Sequence, residues 1–259
     1  MNHESNSVGD FTCDRDLVIG VLGGMGPEAT ADFYMKLLSK TVAVRDQDHF
    51  RVLIDSNGKV PDRVEAIMGN GESPVPILTE MAKGLERGGA DFIVIPCNTA
   101  HYYYNAISSA VSIPVLHIAR ELFARVDAMS KISAGENSIK LNKIGLLATT
   151  ATIYTRLYQQ LASEREIELL VPTEQEQEEL VSVGIKAVKA GDKILGQKYL
   201  TKAANILVAR GARALIEGCT EVPLVLEQSN FSVPLLDSTA ILAEATVTKA
   251  RHRYECKHE

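Results

Sequence analysis

Positive charge is scarce in this chain: 27 Lys and Arg stand against 33 Asp and Glu, a formal net charge of −6. No broad basic field exists to attract phosphate, which excludes nucleic acid as a partner, and an acidic metabolite would need a local basic pocket. Long apolar runs are also missing. None approaches the roughly 18 residues that span a bilayer, so no membrane association is expected. The first sixteen residues, Met1 to Asp16, are polar and carry no apolar h-region, so they read as a flexible tail and not as a secretory signal. The four cysteines, at 13, 97, 219 and 256, include no Cys-x-x-Cys pair. They offer neither a zinc site nor a disulfide scaffold, and the tail Cys256-Lys-His258 is too sparse for a metal. A reducing cytoplasm, where reactive thiols survive, is the expected setting. Tryptophan is absent too, but 46% of the residues are hydrophobic, enough for one or two cores in 259 residues.

What is present is a rhythm. Leu17–Leu22 reads as a buried strand, followed by a glycine turn and an amphipathic segment from Pro27 to about Thr41. Arg51–Ile54, Phe92–Ile95 and Pro114–His117 are further strand candidates, and helical stretches around 75–87 and 101–110 separate the later ones. Such βαβα alternation predicts an α/β fold with parallel sheets flanked by helices. Ser130–Asn142 has little periodicity and reads as a surface loop.

The rhythm occurs twice, with some of the same letters. Ile19-Gly-Val-Leu resembles Ile144-Gly-Leu-Leu, Ile93-Val-Ile-Pro-Cys97 resembles Leu215-Ile-Glu-Gly-Cys219, and Ser112-Ile-Pro-Val-Leu-His resembles Ser232-Val-Pro-Leu-Leu-Asp. The three landmarks keep their order at an offset of about 120 to 125 residues. Each half then ends a central strand on a cysteine. Ligands of open parallel sheets bind outside the carboxyl ends of the strands, so two facing halves would bring both thiols to one interdomain cleft. Asn98-Thr99-Ala100-His101 follows Cys97 as a helix start, and Pro223 predicts another helix start after Cys219. A helix N-terminus lowers a thiol's pKa from about 8.5, so both cysteines are expected to favour the thiolate.

Two facing bases suit one reaction above others. Racemisation removes a proton from one face of Cα and delivers another to the opposite face, the two groups exchanging roles with direction. Without pyridoxal phosphate as electron sink, preorganised donors and exclusion of water must stabilise the developing charge.

The motifs Gly20-Val-Leu-Gly-Gly-Met-Gly-Pro, Pro61-Asp-Arg, Ile95-Pro-Cys-Asn-Thr-Ala-His and Gly218-Cys-Thr-Glu together resemble the aspartate/glutamate racemase family, and within it the aspartate racemase branch. Arg45-Asp-Gln-Asp-His, Leu146-Leu-Ala-Thr-Thr and Pro172-Thr-Glu-Gln-Glu-Gln extend the resemblance over about residues 17 to 250. Glutamate racemases, which open with Asp-Ser-Gly where this chain has Leu22-Gly-Gly-Met, are less similar. The single-cysteine decarboxylase relatives also fit less well, because both family cysteines are present. The resemblance implies two pseudo-symmetric domains, residues 17–117 plus 238–259 and residues 118–237, with the final helix returning to the first. It further implies interconversion of L- and D-aspartate by Cys97 and Cys219, no cofactor or metal, and a homodimer. Arg63 and Lys189 stand where such proteins hold the side-chain carboxylate, a role suited to a guanidinium fork and a point charge. Met25, Asn98, Thr99, Ala100, Thr220 and Glu221 would line the site by the same resemblance, although Glu221 is equally suited to capping a helix. His101, one turn past Cys97, fits a structural role better than tuning the thiol.

Three alternatives stand beside this reading. One is a racemase of broader or glutamate-preferring specificity, and another is a non-catalytic amino-acid-binding protein. The third is a nicotinamide-dependent enzyme, with Gly20–Gly26 as the dinucleotide loop and Asp55 as the ribose acceptor. The glycines do not give G-x-G-x-x-G, and Asp55 lies further along the chain than such an acceptor should.

Overall fold

A computed structural model describes residues 16–132 and 141–251. The chain forms two parallel sheets, in keeping with the α/β reading. In the first, β1 (Ile19–Gly23) lies between β2 (Val52–Ser56) and β3 (Phe92–Val94), with Ile19 level with both Val52 and Phe92. Beyond β3, Val115 adds a single parallel bridge to Ile93. A full strand over Pro114–His117 does not form. Pro114 accepts from Ile93 N–H but has no N–H of its own to carry the ladder backward, and a helix begins at Ile118.

In the second sheet β4 (Lys143–Ala148) is central, and the order is β5-β4-β6-β7, with β5 (Glu168–Leu170), β6 (Leu215–Gly218) and β7 (Leu235–Asp237) all parallel to their neighbours. Strand for strand this repeats the first sheet, Val115 taking the place of β7. The correspondence extends to single residues. A Cβ on Gly20 would come within 2.9 Å of Ala90 Cβ, and one on Gly145 within 2.7 Å of Leu215 Cδ2. Each central strand thus needs glycine where its neighbours press closest.

Helices cover both faces of both sheets. In the first half these are α1 (Pro27–Lys40), the short α2 (Arg63–Ile67), α3 (Val75–Arg87) and α4 (Tyr104–Ser108), which a 3₁₀ turn over Thr99–Tyr103 precedes. Then come α5 (Ile118–Ile132), α6 (Thr150–Tyr154) and α7 (Leu157–Ser163). A π turn over Gln177–Ser182 joins α8 (Glu174–Glu176) to α9 (Val183–Lys189), and α10 (Lys193–Ala209) and α11 (Ser238–Arg251) complete the set. The residues Ser130–Ile132 therefore continue a helix, and most of the anticipated loop after them lies outside the described residues, as do Cys13 and Cys256.

The alternation of side chains along each strand sorts the cores. Ile19, Val21, Phe92 and Val94 face Phe33 and Leu37 of α1 and Leu242 and Val247 of α11. Leu22, Ile93 and Ile95 face the other way, onto Leu78, Met81 and Leu85 of α3. Ile144, Leu146 and Ile216 meet Phe123 of α5 and Tyr158 of α7, while Leu147 and Leu215 meet Ile185 of α9 and Leu200 and Leu207 of α10. The last helix thus closes the core of the first sheet, and Leu17 N–H donates to Ala250 O at 3.1 Å.

Candidate active site

Both halves deliver a strand end to one place. Ile95 and Pro96 carry the chain from β3 to Cys97, and Cys219 directly follows β6. Both are buried free thiols. They line one small cavity together with Met25, Asp62, Arg63, Asn98, Thr99, Lys189, Thr220 and Glu221. Its volume is about 10 Å³, room for about one water molecule. An outer recess of about 220 Å³ shares Arg63, Lys189 and Glu221 with the cavity. At the recess edge Glu28 Oε1 pairs with Lys193 Nζ at 2.6 Å, tying α1 to α10.

The loop after β1 brings Met25 inward. Gly24 has φ +89°, and a Cβ there would lie 2.3 Å from Asn57 N. Gly24 N–H donates to Thr30 Oγ1 at 2.8 Å, and that hydroxyl donates to Gly26 O at 2.9 Å, which fixes the turn into α1 at Pro27. The chain's own Asn57 backbone fills the space beside this glycine loop, where a dinucleotide pyrophosphate would have to lie.

Pro61-Asp-Arg is a capped helix start. Asp62 accepts from Val64 N–H at 2.7 Å and Glu65 N–H at 3.0 Å, which places Arg63 first in α2. Arg63 is 9% exposed. Its Nη1 donates to Val60 O and Pro61 O at 3.2 Å each, its Nη2 donates to Met25 O at 3.4 Å, and its Nε has no partner. A guanidinium has five N–H donors, so Nε–H and one Nη2–H remain, the pair that grips a carboxylate side-on. Lys189 ends α9 at the rim, with much of its side chain in solvent. Burial of its ammonium works against the charge, but Glu221 and the two thiols outweigh it and raise its pKa. Among the described residues neither Arg63 nor Lys189 forms an ion pair.

The thiols have unlike surroundings. Cys219 Sγ donates to Glu221 Oε2 at 2.9 Å, and Thr220 Oγ1 donates to the same oxygen at 3.4 Å. Burial first, then the Glu221 charge and hydrogen bond, push the Cys219 thiol well above its ordinary pKa, with Lys189 opposing. This corrects the expectation of a thiolate at Cys219. The cause is burial and the Glu221 carboxylate, with only one 3₁₀ turn, Val222–Leu224, following before Val225 and Leu226 enter the second core. Glu221 precedes that turn without capping it through its side chain.

Ala100 is not among the lining residues; it is fully buried in the core beneath α3. His101 is a structural link. Ile118 N–H donates to Nε2 at 3.0 Å, so Nδ1 carries the proton and donates to Cys97 O at 2.8 Å. Burial lowers its pKa to about 4, which keeps the ring neutral. Thr149 also lines the cavity, and its hydroxyl lies 3.0 Å from that of Thr99 and 2.9 Å from that of Thr152. Thr149 has the place in the second half that Gly24 has in the first, and the repeat offset is the signal that points to it. No group of three His, Cys, Asp or Glu among the described residues is arranged to hold a metal, and no described helix is long and apolar enough to cross a membrane.

Residues 22–246 match the family model described as Asp/Glu/Hydantoin racemase. The chain belongs to the Asp/Glu/hydantoin racemase family. It is therefore a racemase, an isomerase. The broad specificity amino-acid racemase RacX of Bacillus subtilis (strain 168) is 30% identical over 235 residues, 89% of this chain and 97% of that protein. The aspartate racemase of Picrophilus torridus has a solved structure that superposes with a TM-score of 0.78 at 31% identity, covering 90% of this chain and 94% of that one. An aspartate racemase homologue from Pyrococcus horikoshii OT3 gives 0.70 at 25% identity over 90% and 98%. The family match and these relatives support an amino-acid racemase.

Proposed function

We propose that this racemase interconverts L- and D-aspartate without pyridoxal phosphate or metal, using Cys97 and Cys219 as acid and base on opposite faces of Cα. One observation carries the reading: two buried thiols share a small cavity with Arg63 and Lys189, neither of which forms an ion pair among the described residues. The buried Arg63 guanidinium, with its Nε unpartnered, asks for an anionic ligand. Arg63 offers its side-on fork and Lys189 its ammonium to the side-chain carboxylate. The hydroxyls of Thr99 and Thr149, which bond each other, and of Thr220, which bonds Glu221, exchange those partners for the α-carboxylate when substrate enters. Cys219 starts as the acid, its proton held toward Glu221, and Cys97 takes the part of the base. In the enclosed site fixed donors replace water around the developing charge. The domain division at 117/118 and 237/238 belongs to the same proposal, supported by α11 packing on the first sheet, as do the homodimer and the cytoplasmic setting.

The test is proton NMR of L-aspartate with the purified protein in D2O and no added cofactor. Loss of the α-proton signal with formation of D-aspartate is expected, and a signal that persists at high protein concentration would refute the reaction. Similarity to RacX favours a second reading, a broader substrate range. Parallel incubations with glutamate, alanine and serine distinguish the two.

A further inference from the structure

Asn98 lines the cavity next to Cys97, yet its side-chain amide is engaged on the far side. Tyr158 Oη donates to Asn98 Oδ1 at 2.5 Å, Asn98 Nδ2 donates to Ser238 Oγ at 3.1 Å, and Ser238 Oγ donates to Glu217 O at 2.7 Å. Ser238 has one hydroxyl proton and gives it to Glu217, so toward Asn98 it can only accept. Tyr158 and Ser238 are 0% exposed and Asn98 is 2% exposed. The chain of bonds is continuous and runs in one sense.

Its path matters more than its length. Tyr158 comes from α7, Ser238 is the first residue of α11, and Glu217 lies on β6 two residues before Cys219. A buried polar network therefore runs from the residue after one thiol to the strand that carries the other. A satisfied buried network of this kind favours one arrangement strongly, because any shift leaves a polar group without a partner. Proton transfer to and from a single carbon requires both sulfurs at reacting distance, and a misplacement of about 1 Å can lower a rate about 100-fold.

We propose that Tyr158 and Ser238 are positioning residues which, by holding the Asn98 amide, set Cys97 at a fixed separation from the Cys219 strand. The proposal rests on the two-thiol reaction above. It assigns Asn98 to placing the thiol, where the family resemblance makes it a lining residue only.

The experiment uses Tyr158→Phe, which removes one hydroxyl from the network, and Ser238→Ala, which removes the other partner of Asn98. Racemisation of aspartate is followed with α-protonated and α-deuterated L- and D-substrate. In each variant kcat should fall on the order of tenfold or more, with KM within about threefold of wild type. The primary isotope effects of the two enantiomers should diverge. Removal of the proton facing Cys97 becomes rate-limiting for one enantiomer, while for the other the slow step is donation by Cys97 after its own α-proton has left. A structural defect without displacement of Cys97 would lower the active fraction and leave both isotope effects as in wild type, which would overturn the proposal. A KM raised tenfold with kcat unchanged would overturn it too, by making Asn98 a substrate ligand through its amide. Unchanged kinetics in both variants would refute the positioning role alone. An inactive wild-type protein would refute the reaction itself and this role with it.

Discussion

Arg63→Lys keeps a positive charge at the start of α2 but removes the fork. In the folded protein three N–H groups of Arg63 hold backbone carbonyls, and the two that remain match a carboxylate. An ammonium is a point charge with three donors and cannot hold three carbonyls and grip a carboxylate together. At a site 9% exposed, truncating one partner of a hydrogen-bonded charge pair costs about 2–4 kcal/mol. Since about 1.4 kcal/mol is tenfold, kcat/KM for aspartate should fall about 30-fold to 1000-fold. Chiral chromatography of quenched L-aspartate reactions gives that ratio, and thermal melting checks that the fold survives. The loss should be selective: residual turnover of alanine, which has no side-chain carboxylate, should change less than threefold or so. Loss of aspartate and alanine turnover in equal measure would refute the carboxylate role and leave Arg63 a buttress for the Met25 loop.

The other expectations are brief. Cys97→Ser and Cys219→Ser should each abolish racemisation, because a serine hydroxyl is too weak an acid for the thiol's place; near wild-type turnover in either would end the two-thiol account. Glu221→Gln removes a charge that raises the Cys219 pKa, so thiolate absorbance of Cys219, read in a Cys97→Ser background, should develop at lower pH than with Glu221 present. Burial depresses His101 to about 4 and His117 to about 3 from an ordinary 6.5, so the folded protein binds fewer protons than the unfolded chain between those values. Their contribution is complete above about pH 6.5 and is lost as pH falls toward 4, by about 3 kcal/mol at His101; urea midpoints should drop across that window, and a flat profile would contradict the burial. Gly145→Ala would push a methyl to 2.7 Å from Leu215 Cδ2 and 3.1 Å from Leu207 Cβ, costing about 1–3 kcal/mol by overpacking, measurable as a lower thermal midpoint.

Much of the fold was legible because its signals are local. Pro27 at the first turn and apolar residues at 29, 33 and 37 mark α1, and the apolar run around β1 marks a strand buried on both faces. The repeat supplied the second half and placed both thiols at strand ends, whereas Arg63, at the start of α2, and Lys189, at the end of α9, were suggested by the family resemblance alone. What escaped was set by distance along the chain. Helix α5 and the 3₁₀ turn that replaces a helix after Cys219 depend on which core the chain returns to. The partners of Asn98 lie 60 and 140 residues away, and no spacing rule reaches so far. The upward push on the Cys219 pKa escaped for a related reason. Helix polarity can be read from sequence, but desolvation by a folded core cannot.

The matching strand orders have a kinetic consequence. Under the correspondence of the two halves Cys97 pairs with Cys219 and Thr99 with Glu221, so like thiols stand beside unlike neighbours. Mirror-image amino acids have equal free energy, so no such inequality can move the end point of the proposed reaction from an even mixture. What it can set is the condition in which the protein is left. In the proposed two-thiol reaction each turnover consumes the proton of one thiol and loads the other, leaving the molecule primed for the opposite hand. A protein of this build carries a one-bit memory of its last product. On that proposal the carboxylate beside Cys219 biases which value the bit takes at rest.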